Sequence, residues 1–182
     1  MTPQQFVDTW KKASLSERSA CHSHFLALCE LLNQPKPVDA DPEGAWYTFE
    51  RGVNKSDGGH GWADVWKKGH FGWEYKKKRR DLKAAYDQLL MYREDLENPP
   101  LLVVFDMDRF EIHTNFTGTI KTVYAFDRLL LSSLSDRVHS DSSYDLWKIN
   151  SSRMNFIMTI TTKHEQILST VGAASGMTCQ VV

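Results

Sequence analysis

Cysteine is scarce in this chain. Cys21, Cys29 and Cys179 are an odd number at no framework spacing, which argues against a secreted disulfide scaffold and fits reduced thiols in a cytoplasm. An excess of charge of either sign is missing too: 22 basic residues balance 23 acidic ones for a net charge of -1. No global field therefore draws the chain to nucleic acid, and any attraction to phosphate must be local. No uncharged stretch approaches the ~18 apolar residues of a membrane span. The opening MTPQQFVDTW lacks a basic segment followed by an apolar one, so it does not read as an export signal. The chain reads as soluble and cytoplasmic, with no membrane partner. At 182 residues and 41% hydrophobic content, it can bury one sizeable core but is short for two full domains. One principal domain with an appendage is expected.

What is present has a clear order. Ser14-Leu15-Ser16-Glu17 matches a capping box, and Phe25, Leu28, Cys29 and Leu32 follow at helical spacing, predicting a helix from about 16 to 33 that Pro35 and Pro37 stop. Ala45 to Glu50 is aromatic and β-favouring, and a glycine-rich turn follows at 57–61. Trp62 to Trp66 and His70 to Lys76, joined by Lys67-Lys68-Gly69, have the pattern of a hairpin. From Arg80 to about Glu97 the period becomes helical, with Leu82, Ala85, Leu89, Tyr92 and Leu96 on one stripe. Asn98-Pro99-Pro100 ends that helix. Leu101 to Phe105 is uncharged, as in a strand buried on both faces, and Phe110 to Phe116 alternates like a partner strand. Helix, three strands, helix, two strands predict an α/β fold with three layers, a mixed sheet flanked by helices. The principal domain is placed at residues 1–128; 129–182 is serine-rich, charged and weakly periodic.

Asp64, Glu74 and Lys76 carry the chemistry. Alternate strand residues share a face, so Glu74 and Lys76 project together, and a hairpin partner can bring Asp64 beside them. Two carboxylates and an amine at one place suit phosphodiester hydrolysis: oxygen ligands bind Mg²⁺ (or Mn²⁺), and a lysine can orient the attacking water. Surface strands also carry such residues as solvated ion pairs. Three features favour a site. Gly61 permits a close backbone approach by DNA or metal. Both carboxylates sit among Trp62, Trp66, Trp73 and Tyr75, where an uncompensated charge is costly. Gln88 and Tyr92, four apart on the next helix, can face the same place.

Gly61-x-x-Asp64, Glu74-x-Lys76 and Gln88-x-x-x-Tyr92, in this order, resemble the motif series of the RecB-like branch of PD-(D/E)XK nucleases. More closely, Gly61 to Gly118, with the upstream segments His24–Leu32 and Tyr47–Glu50, is similar to the amino-terminal nuclease domain of MmeI-like type IIL restriction-modification enzymes. The likeness covers roughly residues 3 to 128. It implies a restriction-endonuclease-like fold, a metal-dependent endonuclease acting on double-stranded DNA in a bacterial or archaeal cytoplasm, Asp64 and Glu74 as metal ligands, Lys76 as catalytic lysine, and Gln88 and Tyr92 as supporting residues. Glu50 is a weaker candidate for an outer metal contact. Such enzymes continue into a helical spacer, a DNA methyltransferase domain that binds S-adenosylmethionine, and a target-recognition domain. That cofactor is therefore not expected on this chain, and 129–182 reads as the start of a spacer or a divergent tail. One site cuts one strand, so transient self-association on DNA is implied for duplex cleavage. A catalytically silent DNA-binding or docking module is the alternative.

Between residues 67 and 80 stand seven cations, Lys67, Lys68, Lys76, Lys77, Lys78, Arg79 and Arg80, against the single acid Glu74; all but Lys76 are candidate DNA-binding residues. The same run could equally be a solvated helix start. Cys21, His22, His24 and Cys29 match no zinc spacing, and the two histidines fall on different helix faces. Cys29 reads as core.

Overall fold

The computed structural model describes residues 1–12, 17–54, 58–77 and 81–128, all within the first of two compact units, Met1–Ser140. The capping box at 14–17 lies partly, and the segment 129–182 wholly, outside the described residues. The chain opens with α1 (Pro3–Lys12), α2 (Glu17–Leu31) and a short α3 (Pro37–Ala40). The strands β1 (Tyr47–Asn54), β2 (His60–Lys67) and β3 (Phe71–Tyr75) follow, then α4 (Leu82–Tyr92) and the strands β4 (Leu101–Phe105), β5 (Arg109–Thr114) and β6 (Val123–Asp127).

The six strands form one mixed sheet in chain order. Every neighbouring pair is antiparallel except β3 and β4, which run parallel with α4 as the crossover between them. Three elements exceed the sequence reading. Helix α1 has a reciprocal cap: the Gln5 amide donates to Thr2 Oγ1 at 3.2 Å and the Thr2 amide to Gln5 Oε1 at 2.8 Å. Pro37 starts α3 as a helix's first residue. Strand β6 seals the edge of β5, with Phe126 stacked on Phe110 at 5.1 Å. The others fall where the sequence placed them, except that α4 ends at Tyr92 where the pattern ran to about Glu97, and β4 is buried along its whole length, as its uncharged run implied.

Two cores sandwich the sheet. On one side α2 sets Phe25 against Trp73, and Phe6 and Trp10 of α1 close over His24. His24 is enclosed there: its ring stacks on Phe105 at 4.8 Å and its Nδ1 lies 2.9 Å from the Tyr75 hydroxyl. Burial, with the nearby Arg128 charge, takes its pKa down to about 3, so it is a neutral core side chain. On the other side α4 lays Leu82, Ala85, Leu89 and Tyr92 over Ala63, Trp66, Leu102 and Val104. The Trp66 indole donates to the Leu96 carbonyl at 2.9 Å, fixing the far end of this helix region to β2. Arg128 ties α1 to the β4–β5 turn by donating to the carbonyls of Trp10 (3.0 Å) and Met107 (2.6 Å) and to Asp108 (3.0 Å).

Candidate active site

The candidate site lies where β2 and β3 part beneath the middle of α4, at Gln88. The β2–β3 register pairs Lys67 with Phe71, Trp66 with Gly72 and Val65 with Trp73. The pairing ends there, and Asp64 comes next on β2 beside Glu74 on β3, near enough for its charge to raise the Glu74 pKa. There the strands open, because Asp64 Oδ2 accepts the Tyr75 backbone amide at 2.6 Å in place of a strand partner. Glu74 and Val104 are paired across β3 and β4, and Val104 belongs to the α4 core, so Glu74 points toward α4.

Helix α4 answers with Gln88. Its Nε2 donates to Glu74 Oε1 at 2.8 Å, and its Oε1 accepts from Lys76 Nζ at 3.0 Å. Lys76 Nζ closes the ring on Glu74 Oε1 at 2.8 Å. Carboxylate, ammonium and amide thus hold one another from two strand positions and one helix position. Asp81 makes this possible by capping α4, accepting from the amides of Lys83 (2.9 Å) and Ala84 (3.3 Å). The helix therefore begins at Leu82, later than the sequence pattern implied, and the basic run lies ahead of it.

Electrostatics single out Glu74. It is 4% exposed, and burial pushes its pKa up to about 7, with the Asp64 charge adding to the rise while Lys76 and Gln88 oppose it. Its second oxygen, Oε2, is buried and has no hydrogen-bond partner. A buried carboxylate oxygen without a donor, beside a second carboxylate, is where a cation lowers the energy most. Among the described residues no group of three or more His, Cys, Asp or Glu side chains could hold a metal. An ion here would take two carboxylates from the protein and its remaining oxygens from water, backbone or substrate. That donor set fits Mg²⁺ or Mn²⁺, which keep several waters, rather than a closed zinc site or a calcium cage.

The other sequence candidates are dispersed. Tyr92 is buried at Gly61: a Cβ on Gly61 would come 2.6 Å from Tyr92 Cζ and closer still to its hydroxyl oxygen. The glycine thus makes room for a helix side chain. Glu50 falls opposite Asp64 on β1 but has its carboxylate 3.7 Å from His22 Nε2. Lys67 lies over the Tyr47 ring at 5.2 Å and Lys68 pairs with Glu97 at 2.8 Å. Both flank the β2–β3 turn, at the opposite end of β3 from Glu74 and roughly 10 to 13 Å along the strand from it at ~3.3 Å per residue. Lys77 is exposed beside Lys76; Lys78, Arg79 and Arg80 lie outside the described residues. Among the described residues, Lys67 and Lys68 thus stand at the other end of β3 from Lys76 and Lys77.

Sequence reading missed Glu111, which pairs with Val104 on β5 and so shares the face of Glu74 two strands away. It receives Arg109 Nε at 3.3 Å. Only the parallel β3–β4 register relates these residues, and no local spacing signals it.

Among curated proteins and solved structures, none matches this chain. The family model described as the MmeI N-terminal domain matches residues 1–170, a span that runs past the motif-bearing part of the sequence, and the chain belongs to that family.

Proposed function

We propose that this chain is a restriction-endonuclease-like nuclease domain of a restriction-modification enzyme, hydrolysing DNA phosphodiester bonds with Mg²⁺ or Mn²⁺. The observation that carries the reading is the closed Glu74–Lys76–Gln88 ring, with Glu74 Oε2 buried and without a hydrogen-bond partner and the Asp64 charge nearby. Asp64 and Glu74 would hold the metal ion, which when bound lowers the pKa of water and offsets charge on a scissile phosphate.

The chain's own groups do the rest. Lys76 carries three ammonium protons, of which two go to Glu74 and Gln88. The third is left to donate to an attacking water or a phosphate oxygen. An ammonium has no lone pair, so in this state Lys76 positions the nucleophile and does not deprotonate it. Gln88 fixes the amine and the carboxylate together, which keeps the donor at one distance from the phosphate. DNA is the partner this reading requires, and Lys77 is the described cation nearest the triad in sequence to meet its backbone.

Supercoiled plasmid incubated with Mg²⁺ or Mn²⁺ tests this. The wild-type chain should nick it, EDTA should stop the nicking, and Asp64→Ala, Glu74→Ala and Lys76→Ala should each reduce it to background while DNA binding persists. Equal activity in all four proteins would remove the site assignment. DNA binding without any nicking would favour the catalytically silent module. Linearisation should rise more steeply than in proportion to protein concentration, because one site cuts one strand and two copies must meet on the duplex.

A further inference from the structure

Glu50 occupies a backbone conformation that a strand residue does not ordinarily adopt: its φ is 49°, in the left-handed region that carries a steric penalty for any side chain. Its position coincides with a change in both strands. The β1–β2 register runs from Phe49↔Val65 directly to Arg51↔Ala63, so one residue on each strand, Glu50 and Asp64, lies between. An inserted bulge residue is thereby excluded as the cause.

The sheet turns over at that rung. Before it, Tyr47 and Phe49 meet Phe25 of α2, and Val65 pairs with Trp73, which also touches Phe25. After it, Val53 and Ala63 belong to the α4 core, and the Arg51 guanidinium sits 4.4 Å over the Trp66 ring. Residues two apart on a regular strand share a face; Phe49 and Arg51 do not, and neither do Ala63 and Val65. Asp64, at the reversal, is freed from the pleat and reaches sideways to the Tyr75 amide.

We infer that Glu50 is a positioning residue for the candidate site, acting through its left-handed backbone, which turns the β1–β2 ribbon over and so delivers the Asp64 carboxylate into the gap between β2 and β3. Its carboxylate serves as an anchor toward His22, whose ring packs on Phe49 at 4.2 Å. The link to metal binding rests on the proposed nuclease reading; the placement of Asp64 does not.

A series at this position separates backbone from side chain. Glycine and asparagine tolerate the left-handed region, alanine does so poorly, and valine least. Glu50→Gly, Glu50→Asn, Glu50→Ala and Glu50→Val are compared by hydrogen exchange of the Tyr75 amide and by Mn²⁺ titration, with circular dichroism to establish folding. The glycine and asparagine variants should keep Tyr75 protection and Mn²⁺ affinity within about threefold of wild type, and the valine variant should lose about tenfold or more in each. Should the valine variant not fold, the asparagine and alanine variants decide, with alanine the weaker. Wild-type protection throughout the series would overturn the inference. So would equal loss of affinity in the glycine and valine variants, which would mean that the carboxylate itself is used. If wild type binds no Mn²⁺, the nuclease reading fails, and the exchange pattern alone still decides whether Glu50 places Asp64.

Discussion

Replacing Gly61 with alanine should disturb the site from a distance, through the fit of α4 against β2. The new Cβ would stand 2.6 Å from Tyr92 Cζ and 2.9 Å from Cε1, and ordinary contact demands separation by about 1 Å more. Tyr92 has little room to yield, being 3% exposed with a ring that moves on only two torsions. The helix must then tilt or slide, and forced overpacking of this kind costs about 1–3 kcal/mol. Gln88 lies one turn from Tyr92 on the same helix, so its bonds to Glu74 and Lys76 should lengthen, and misplacement of this size lowers turnover by about 10²-fold. Urea denaturation of the wild type, Gly61→Ala, Tyr92→Leu and the double variant measures the coupling. Tyr92→Leu should cost stability by itself, but Gly61→Ala should then add little, giving a coupling energy of about 1–2 kcal/mol. Additive effects, or a single Gly61→Ala cost within about 0.5 kcal/mol, would refute this account of the glycine.

Three further outcomes follow from particular contacts. Gln88→Leu should preserve the fold but slow plasmid nicking about 10- to 100-fold, since the group that orients both Glu74 and Lys76 is lost; unchanged nicking would show that the ring is incidental. His24 is held neutral with its pKa lowered to about 3, whereas in the unfolded chain it takes up a proton below about 6.5. Stability is thus fully present above that pH and declines as pH falls toward the folded value, by up to about 1.4 kcal/mol per unit, or about 2 kcal/mol between pH 6.5 and 5; His24→Phe should flatten that slope in denaturation measured across the range. Arg128→Met should cost about 2–4 kcal/mol by stranding the Trp10 and Met107 carbonyls, and limited proteolysis should then cut within residues 1–12.

Legibility in the sequence followed the range of the interactions. Leu101 to Phe105 could be read as a doubly covered strand because composition alone reports burial on both faces. The stripe from Leu82 to Leu96 and the Lys67–Gly69 hairpin turn were readable for the same reason, their signals being contained within a few neighbours. Thr2 and Gln5 carry a readable capping pattern for α1, contained within four residues. Strand β6 was faint because Val123 and Ala125 on its exposed side are as apolar as Tyr124 and Phe126 on the half-buried one, so the sequence shows no alternation. At the site, the two-residue spacing of Glu74 and Lys76 was enough to place them together, and the four-residue spacing of Gln88 and Tyr92 put both on the inner side of α4. Which of those two reaches Glu74 depends on how the helix is seated over the sheet, and there Gln88 meets the ring while Tyr92 meets Gly61. The left-handed turn at Glu50 has no local sequence signal, since a glycine or asparagine would be the usual marker. In the basic run, Lys67 and Lys68 stand at one end of β3 and Lys76 and Lys77 at the other, a separation along the strand that sequence proximity does not show.

The central claim is that Asp64 and Glu74 together hold one divalent ion. Calorimetric titration of the full chain with Mn²⁺, beside Asp64→Asn and Glu74→Gln, tests it directly. Saturable binding in the wild type, lost in both variants while their folds persist, is the predicted result. Binding that survives both substitutions, or no binding in the wild type, would contradict it.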